Sequence, residues 1–308
     1  MGTPAFACPS LEALLARPRD RVVGVVCQPD RPRGRGLHVE PPPVKRLALA
    51  HGVPVLQPRT VRDAAFQESL RAWAPDLVVV AAYGRILPRA VLDLPPRGCV
   101  NVHASLLPRH RGAAPIAWSI LSGDATTGVT IMAMSEEMDA GDILLARETP
   151  IAPDDTTGTL TARLAALGAE ALGDALDLLQ AERLRPLPQP AEDVTFAPKL
   201  EREQGRLDWR RPADELDRRI RAVTPEPGAF TTVGGKLLKV QRAAPAPGEP
   251  PGRAGTVLRV ERHGVVVATG AGALRLLEVQ LEGKRRMAAA AFAAGARLGP
   301  GSRLGDEG

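Results

Sequence analysis

The 308-residue chain is 44% hydrophobic, 24% charged and 3% aromatic, a composition that excludes a mainly disordered protein and supplies enough core for about two domains. Its net charge of +5 is uneven: residues 199–308 hold 20 Lys and Arg against 13 Asp and Glu, and residues 1–198 hold 20 against 22. No run reaches 18 apolar residues without a charge or proline, and the opening Met1-Gly2-Thr3-Pro4 lacks the basic and apolar regions of a secretory signal, so a cytoplasmic protein is expected. In chain order, short apolar runs at 22–27, 53–56, 77–82 and 99–103 alternate with helical patterns at 43–52, 61–73 and 88–92. This rhythm predicts an α/β domain with a doubly wound, mostly parallel sheet. A proline-opened helix follows at 115–121, then a strand at 128–134 and a long amphipathic helix at 157–182.

At 184–204 the composition turns to proline and polar residues, Arg185-Pro186-Leu187-Pro188-Gln189-Pro190 among them, and reads as a linker. Residues 1–183 form the first domain in this reading and 205–308 the second. The second opens with a helix at 213–222 and continues in glycine-punctuated strands at 229–233, 236–240, 255–260, 264–269 and 273–279, which predict a small antiparallel barrel. Its surplus of positive charge suits a surface that neutralises phosphates; a solvated basic face has the same composition.

The segment 101–112 carries the strongest chemical signal. Asn101 and His103 stand two apart at the end of a predicted strand, so their side chains share one face of the sheet, at the edge where ligands enter open α/β sheets. An amide that donates to an oxyanion beside an imidazole that moves protons suits acyl chemistry. The same pair, without context, caps a strand end. Asp139, in the acidic loop Met138-Asp139-Ala140-Gly141-Asp142, is placed to return toward His103, although Asp near Gly is also an ordinary turn signal. The loop 28–38 holds Arg31, Arg33 and Arg35 with no apolar anchor before Leu37, and reads either as a phosphate-gripping loop or as solvated surface.

Other chemistries find no support. The sequence has no phosphate-loop, nucleophile-elbow or zinc-helix motif, and Gly34-Arg35-Gly36 runs into Val39 and a proline triplet rather than completing a dinucleotide fingerprint. Cys8, Cys27 and Cys99 are odd in number and far apart, which argues against a disulfide framework, and the histidines and cysteines have no metal-ligand spacing.

Taken together, Asn101-Val102-His103-Ala104-Ser105-Leu106-Leu107-Pro108-Arg109-His110-Arg111-Gly112-Ala113-Ala114-Pro115 and the 128–141 segment ending Asp139-Ala140-Gly141 closely resemble the folate-dependent formyltransferases. Within them the resemblance is to the branch acting on methionyl initiator tRNA. It extends through Gln28-Pro29-Asp30-Arg31-Pro32, Ala82-Tyr83-Gly84, Arg206-Leu207-Asp208-Trp209, Pro227-Gly228-Ala229-Phe230 and Gly283-Lys284.

The resemblance implies a Rossmann-like catalytic domain and an OB-like barrel that helps hold tRNA, in a monomer that uses no metal. It implies formyl transfer from 10-formyltetrahydrofolate to the α-amino group of the methionine on initiator tRNA. Asn101, His103 and Asp139 match the catalytic trio, with protonated His103 and Asn101 stabilising the oxyanion and Asp139 supporting the imidazole and relaying protons. Ser105, Leu106, Leu107 and Pro108 match the folate-binding stretch, Ile86 and Leu87 the pterin side, and Arg31, Arg33 and Arg35 the tRNA-gripping insertion, with Arg35 the foremost phosphate contact.

Departures from the pattern are Leu37-His38 where lysines are usual, Glu226 at an often aromatic position, and Ala133 where a larger side chain is common. The rival readings are a formyltransferase or deformylase acting on a small amine, against which the arginine loop counts, and a non-catalytic nucleic-acid-binding protein, against which the trio counts. The resemblance also places an apolar strand before Gly2-Thr3-Pro4, so the sheet is expected to lack its first strand here and the natural chain to be longer.

Overall fold

A computed structural model describes residues 1–33 and 38–305. The chain divides into two compact units. One holds Met1–Pro115, Thr126–Pro150 and Thr161–Pro198; the other holds Ile116–Ala125, Ile151–Leu160 and Lys199–Gly308. Among the described residues no helix is long and apolar enough to cross a membrane.

The first unit begins with helix α1 (Cys8–Ala16), strands β1 (Val25–Val26), β2 (Arg31–Arg33) and β3 (His38–Glu40), helix α2 (Pro43–Ala50) and strand β4 (Val55–Leu56). Helix α3 (Ala64–Ala72), strand β5 (Val78–Val80), helix α4 (Arg89–Leu92) and strand β6 (Cys99–His103) follow. Local chemistry sets several boundaries. Pro43 opens α2, where a missing N–H costs nothing. The Asp63 carboxylate accepts the Ala65 N–H at 3.1 Å and caps α3. Helix α5 (Pro115–Ser122) lies mostly in the second unit, and strands β7 (Thr126–Ala133) and β8 (Ile143–Pro150) return to the first. Helix α6 (Thr157–Gln180) places its turns from Thr161 onward there.

The sheet is mixed rather than mostly parallel. β1 pairs with β4 and β5 with β6 in parallel, but β6 pairs with β7 and β7 with β8 antiparallel. For β7 and β8 the reason is the short stretch 134–142 joining them, which contains no crossover helix, so the chain can only fold back on itself.

β1–β4 and β5–β8 form separate ladders. Met1 and Gly2 bridge them: Gly2 N–H donates to the Val26 carbonyl at 3.0 Å, and Ala81 N–H donates to the Met1 carbonyl at 2.9 Å. Beside them is a cavity of about 430 Å³ lined by Val22, Val23, Val26, Trp73, Leu77 and Val79. Burial lowers the Met1 α-ammonium to about 6, because the charged form loses its water. The core around the β5–β6 pair gathers Phe66, Leu70, Val80, Leu87, Val91 and Cys99.

In the second unit, helix α7 (Ala213–Ala222) buries Ala213, Leu216 and Ile220 on one stripe and carries the ion pair Asp214–Arg218 at 3.0 Å on the other. Strands β9 (Ala229–Val233), β10 (Lys236–Pro245), β11 (Val257–Glu261), β12 (Gly264–Ala268), β13 (Ala273–Leu281) and β14 (Met287–Ala288) and helix α8 (Ala289–Ala296) complete it. The six strands form one antiparallel sheet in the order β11-β12-β13-β10-β9, with β14 on β13.

Among the described residues no ladder joins β11 to β9, so the sheet is open where a barrel is expected. Register shifts near Arg242 bend β10 within it. Trp209, Leu216, Leu238, Val265, Leu274 and Phe292 belong to the core, and the Trp209 indole N–H donates to Thr231 Oγ1 at 3.0 Å, so the ring is buried without an orphan donor.

Candidate active site

Strand β6 carries the Asn-x-His pair in register with β7, Asn101 opposite Met132 and His103 opposite Thr130. Alternation along the strand puts both side chains on one face. After His103 the chain leaves the sheet and is tied back to β7 by Thr130, whose hydroxyl donates to the Ser105 carbonyl at 2.7 Å and accepts the Leu107 N–H at 3.1 Å. The Ser105 hydroxyl donates to the Arg109 carbonyl at 2.6 Å and closes the turn.

Asp139 arrives from the loop joining β7 to β8. Its Oδ1 lies 3.6 Å from His103 Nδ1 and accepts from Asn101 Nδ2 at 3.4 Å, and its Oδ2 accepts the Gly112 N–H at 2.9 Å. The trio expected from sequence is thus brought together.

Two glycines make this approach possible. A Cβ on Gly141 would stand 2.0 Å from the Ala133 carbonyl oxygen. Gly112 has φ +127°, and a Cβ there would stand 2.8 Å from the Ala197 carbonyl oxygen. Asp139 itself takes φ +52°, a left-handed conformation that Asp adopts more readily than most residues.

His103 is 5% exposed. Its Nε2 lies 3.0 Å from the His110 carbonyl, an acceptor only, so the proton of the neutral ring sits on Nε2. Burial lowers the imidazole below its ordinary range, and the Asp139 carboxylate opposes that shift without cancelling it. The resting ring is therefore neutral, with the Nδ1 lone pair turned toward Asp139. The cause is desolvation, which no local motif reports. Such a site can take a proton at Nδ1, stabilise the resulting cation with Asp139, and donate a hydrogen bond from Asn101. Among the described residues no cluster of three or more His, Cys, Asp or Glu could hold a metal ion.

Residues 1–176 match the family model described as formyl transferase, and residues 199–297 match that of the formyl transferase C-terminal domain. The chain belongs to the formyltransferase family. Among its curated relatives, the methionyl-tRNA formyltransferase of Myxococcus xanthus is 55% identical over 303 residues, covering 98% of this chain and 96% of the relative. That of Geotalea uraniireducens is 50% identical over 305 residues, covering 99% and 96%. A solved N-formyltransferase from Helicobacter canadensis, in complex with folinic acid and dTDP-3-aminofucose, superposes with a TM-score of 0.66 over 89% of this chain and 96% of that one. At 16% identity, that likeness shows the shared formyltransferase fold alone.

Of the residues that the formyltransferase resemblance assigns to folate, Ser105, Leu107 and Pro108 are buried and Leu106 is half-buried, all in the turn after β6. Ile86 is 67% exposed, an uncovered apolar surface, whereas its neighbour Leu87 is buried in the β5–β6 core.

The arginine loop is a β2–β3 ribbon, with Arg31 opposite Glu40 and Arg33 opposite His38. Its base is anchored: Asp30 pairs with Lys45 at 2.7 Å and accepts from Gln57 at 2.6 Å. Arg31 is exposed, with one guanidinium nitrogen 3.3 Å from Gln28 Oε1. Arg35, with Gly34, Gly36 and Leu37, lies outside the described residues.

Sequence reasoning passes over several residues that build the site. The Thr195 hydroxyl accepts the His110 N–H at 2.8 Å, and the 195–197 segment pairs with Arg111 through the Thr195 carbonyl and the Ala197 N–H. Gln189 holds the Asp139 loop. Arg111 lies within the family motif and was open to discovery there; Gln189 and Thr195 stand in a proline-rich, polar stretch with no periodic signal.

Proposed function

We propose that the protein transfers the formyl group of 10-formyltetrahydrofolate to the α-amino group of methionyl initiator tRNA, giving N-formylmethionyl-tRNA for translation initiation. The observation that carries this reading is the 55% identity to a methionyl-tRNA formyltransferase across nearly the whole chain. The convergence of Asn101, His103 and Asp139 supports it.

In this mechanism His103 Nδ1 accepts the proton lost by the amine as that nitrogen attacks the formyl carbon. The side-chain amide of Asn101 donates to the oxygen that gains negative charge in the tetrahedral intermediate. Asp139 stabilises the imidazolium, which returns the proton to N10 as the carbon–N10 bond breaks. One C–N bond forms, one breaks, and a single proton moves from acceptor to donor nitrogen, with no covalent enzyme intermediate.

The exposed Ile86 offers an apolar surface that suits a flat pterin ring. Arg31, Arg33 and Arg35 serve the acceptor stem, and the positive last third of the chain adds backbone contacts.

We read the first domain, 1–183, as Rossmann-like and the last, 205–308, as an OB-like open barrel, with 184–204 between them. The enzyme is read as a cytoplasmic monomer. A transfer assay with 10-formyltetrahydrofolate and charged initiator tRNA tests the function, with elongator methionyl-tRNA and uncharged tRNA as controls. Absence of formylmethionine on the initiator would overturn the reading, and near-normal turnover by His103→Asn would overturn the catalytic assignment of that residue.

A further inference from the structure

The side chain of Gln189 is a two-sided clamp. Its Nε2 donates to two carbonyls of the acidic loop, that of Asp139 at 2.8 Å and that of Gly141 at 2.7 Å. Its Oε1 accepts from Arg111 twice, from Nε at 3.0 Å and from Nη2 at 2.8 Å. All four bonds of the primary amide are directed at one end of the acidic loop and at the loop that follows β6. Arg111 is buried, and its remaining terminal nitrogen lies 3.6 Å from Glu137 on the same acidic loop. The stretch that carries Gln189 is itself fixed upstream by reciprocal hydrogen bonds between Ile143 and Leu187, at 2.8 and 2.9 Å. Downstream it is fixed by the pairing of Arg111 with Thr195 and Ala197.

Asp139 needs such support. Its left-handed backbone is unfavourable for a residue with a Cβ, and its carboxylate must serve His103, Asn101 and Gly112 together. The carbonyls of Asp139 and Gly141 bracket that strained turn, and both end on one side-chain amide.

We propose that Gln189 is a positioning residue for formyl transfer: by pinning the 139–141 backbone to Arg111 it holds the Asp139 carboxylate against His103. The proposal rests on the formyltransferase reading above. Gln189 touches none of the trio's side chains, so it acts through the backbone of the Asp139 loop and through Arg111, its two sets of partners. A group held about 1 Å out of place costs about 10²-fold in rate, and that is the loss expected when the clamp is removed.

The test is steady-state formyl transfer by the full chain bearing Gln189→Ala, Gln189→Glu, Asp139→Asn, or Asp139→Asn with each Gln189 change. The glutamate keeps the acceptors for Arg111 but presents no donor to the two carbonyls. Both single Gln189 variants are expected to lose about 10²-fold in kcat, with KM for both substrates changed less than about threefold.

In the Asp139→Asn background the same changes are expected to cost less than about threefold, because the carboxylate they serve is gone. Equal losses in the two backgrounds would overturn the proposal, as would wild-type kcat in Gln189→Glu. If Gln189→Ala fails to fold, Gln189→Glu carries the comparison. Inactive wild-type protein would instead strike at the formyltransferase reading itself.

Discussion

The Nδ1 atom of His103 faces the Oδ1 atom of Asp139 at 3.6 Å, while the opposite nitrogen of the same ring is committed to the His110 carbonyl. Two groups that only accept hydrogen bonds thus face each other across a space that a proton would fill. Replacing His103 removes the cation, and replacing Asp139 removes the charge that stabilises it. His103→Gln and Asp139→Asn are each expected to lower kcat by about 10² to 10⁴-fold. The double variant is expected to fall little further, because the pair acts as a unit. Steady-state formyl transfer measures both.

The depressed basicity of His103 has a sign that can be checked. Burial lowers its folded-state value beneath 6.5, so between those two values the unfolded chain holds the extra proton and the folded chain does not. This contribution therefore leaves stability undiminished above pH 6.5 and reduces it as pH falls through the folded value. Transfer that needs the neutral ring should lose activity over the same range. An NMR titration of the His103 ring should show a midpoint below 6.5, lower still in Asp139→Asn, where the opposing carboxylate is absent. A midpoint above 6.5 in the wild type would contradict the neutral resting ring.

Gly141 is expected to be intolerant of any side chain. A methyl group 2.0 Å from the Ala133 carbonyl cannot be accommodated without moving the backbone. Gly141→Ala should cost about 1 to 3 kcal/mol in stability by urea denaturation. It should also lower kcat, since the displaced turn carries Asp139.

Arg31 projects from an anchored ribbon, so its loss should leave the fold intact. Arg31→Ala is expected to weaken initiator tRNA binding uniformly and to reduce the slope of log affinity against log salt by about 1. Filter binding at several salt concentrations measures both quantities, and an unchanged slope would remove Arg31 from the phosphate contacts.

Leu274 is fully buried in the second unit, in the same core as Val265 and Leu216. Leu274→Ala should destabilise that unit by about 2 to 5 kcal/mol, through lost burial and the cavity left behind. Unfolding followed by Trp209 fluorescence reports on it, because that indole lies in the same core.

Much of this architecture is legible in short stretches of sequence. The alternation through Val100, Asn101, Val102 and His103 marks a strand and settles which two side chains share a face. The stripe Ala213, Leu216, Ile220 marks α7. Helix α8 is less legible, since the run of alanines around Phe292 has no polar face to set a period. The direction of β8 is hidden for another reason: periodicity gives a strand's faces but not its neighbour, and only the short 134–142 connection forces its antiparallel return along β7.

The family is written in contiguous motifs along the chain, and the three polar side chains are singled out by local spacing. How close they come to one another is a matter of packing. Asp139 reaches His103 across 36 positions only because Gly112 and Gly141 allow close backbone approach and Gln189 fixes the turn between them. The neutral state of His103 likewise follows from burial, a property of everything packed around the ring rather than of the residues beside it in the chain.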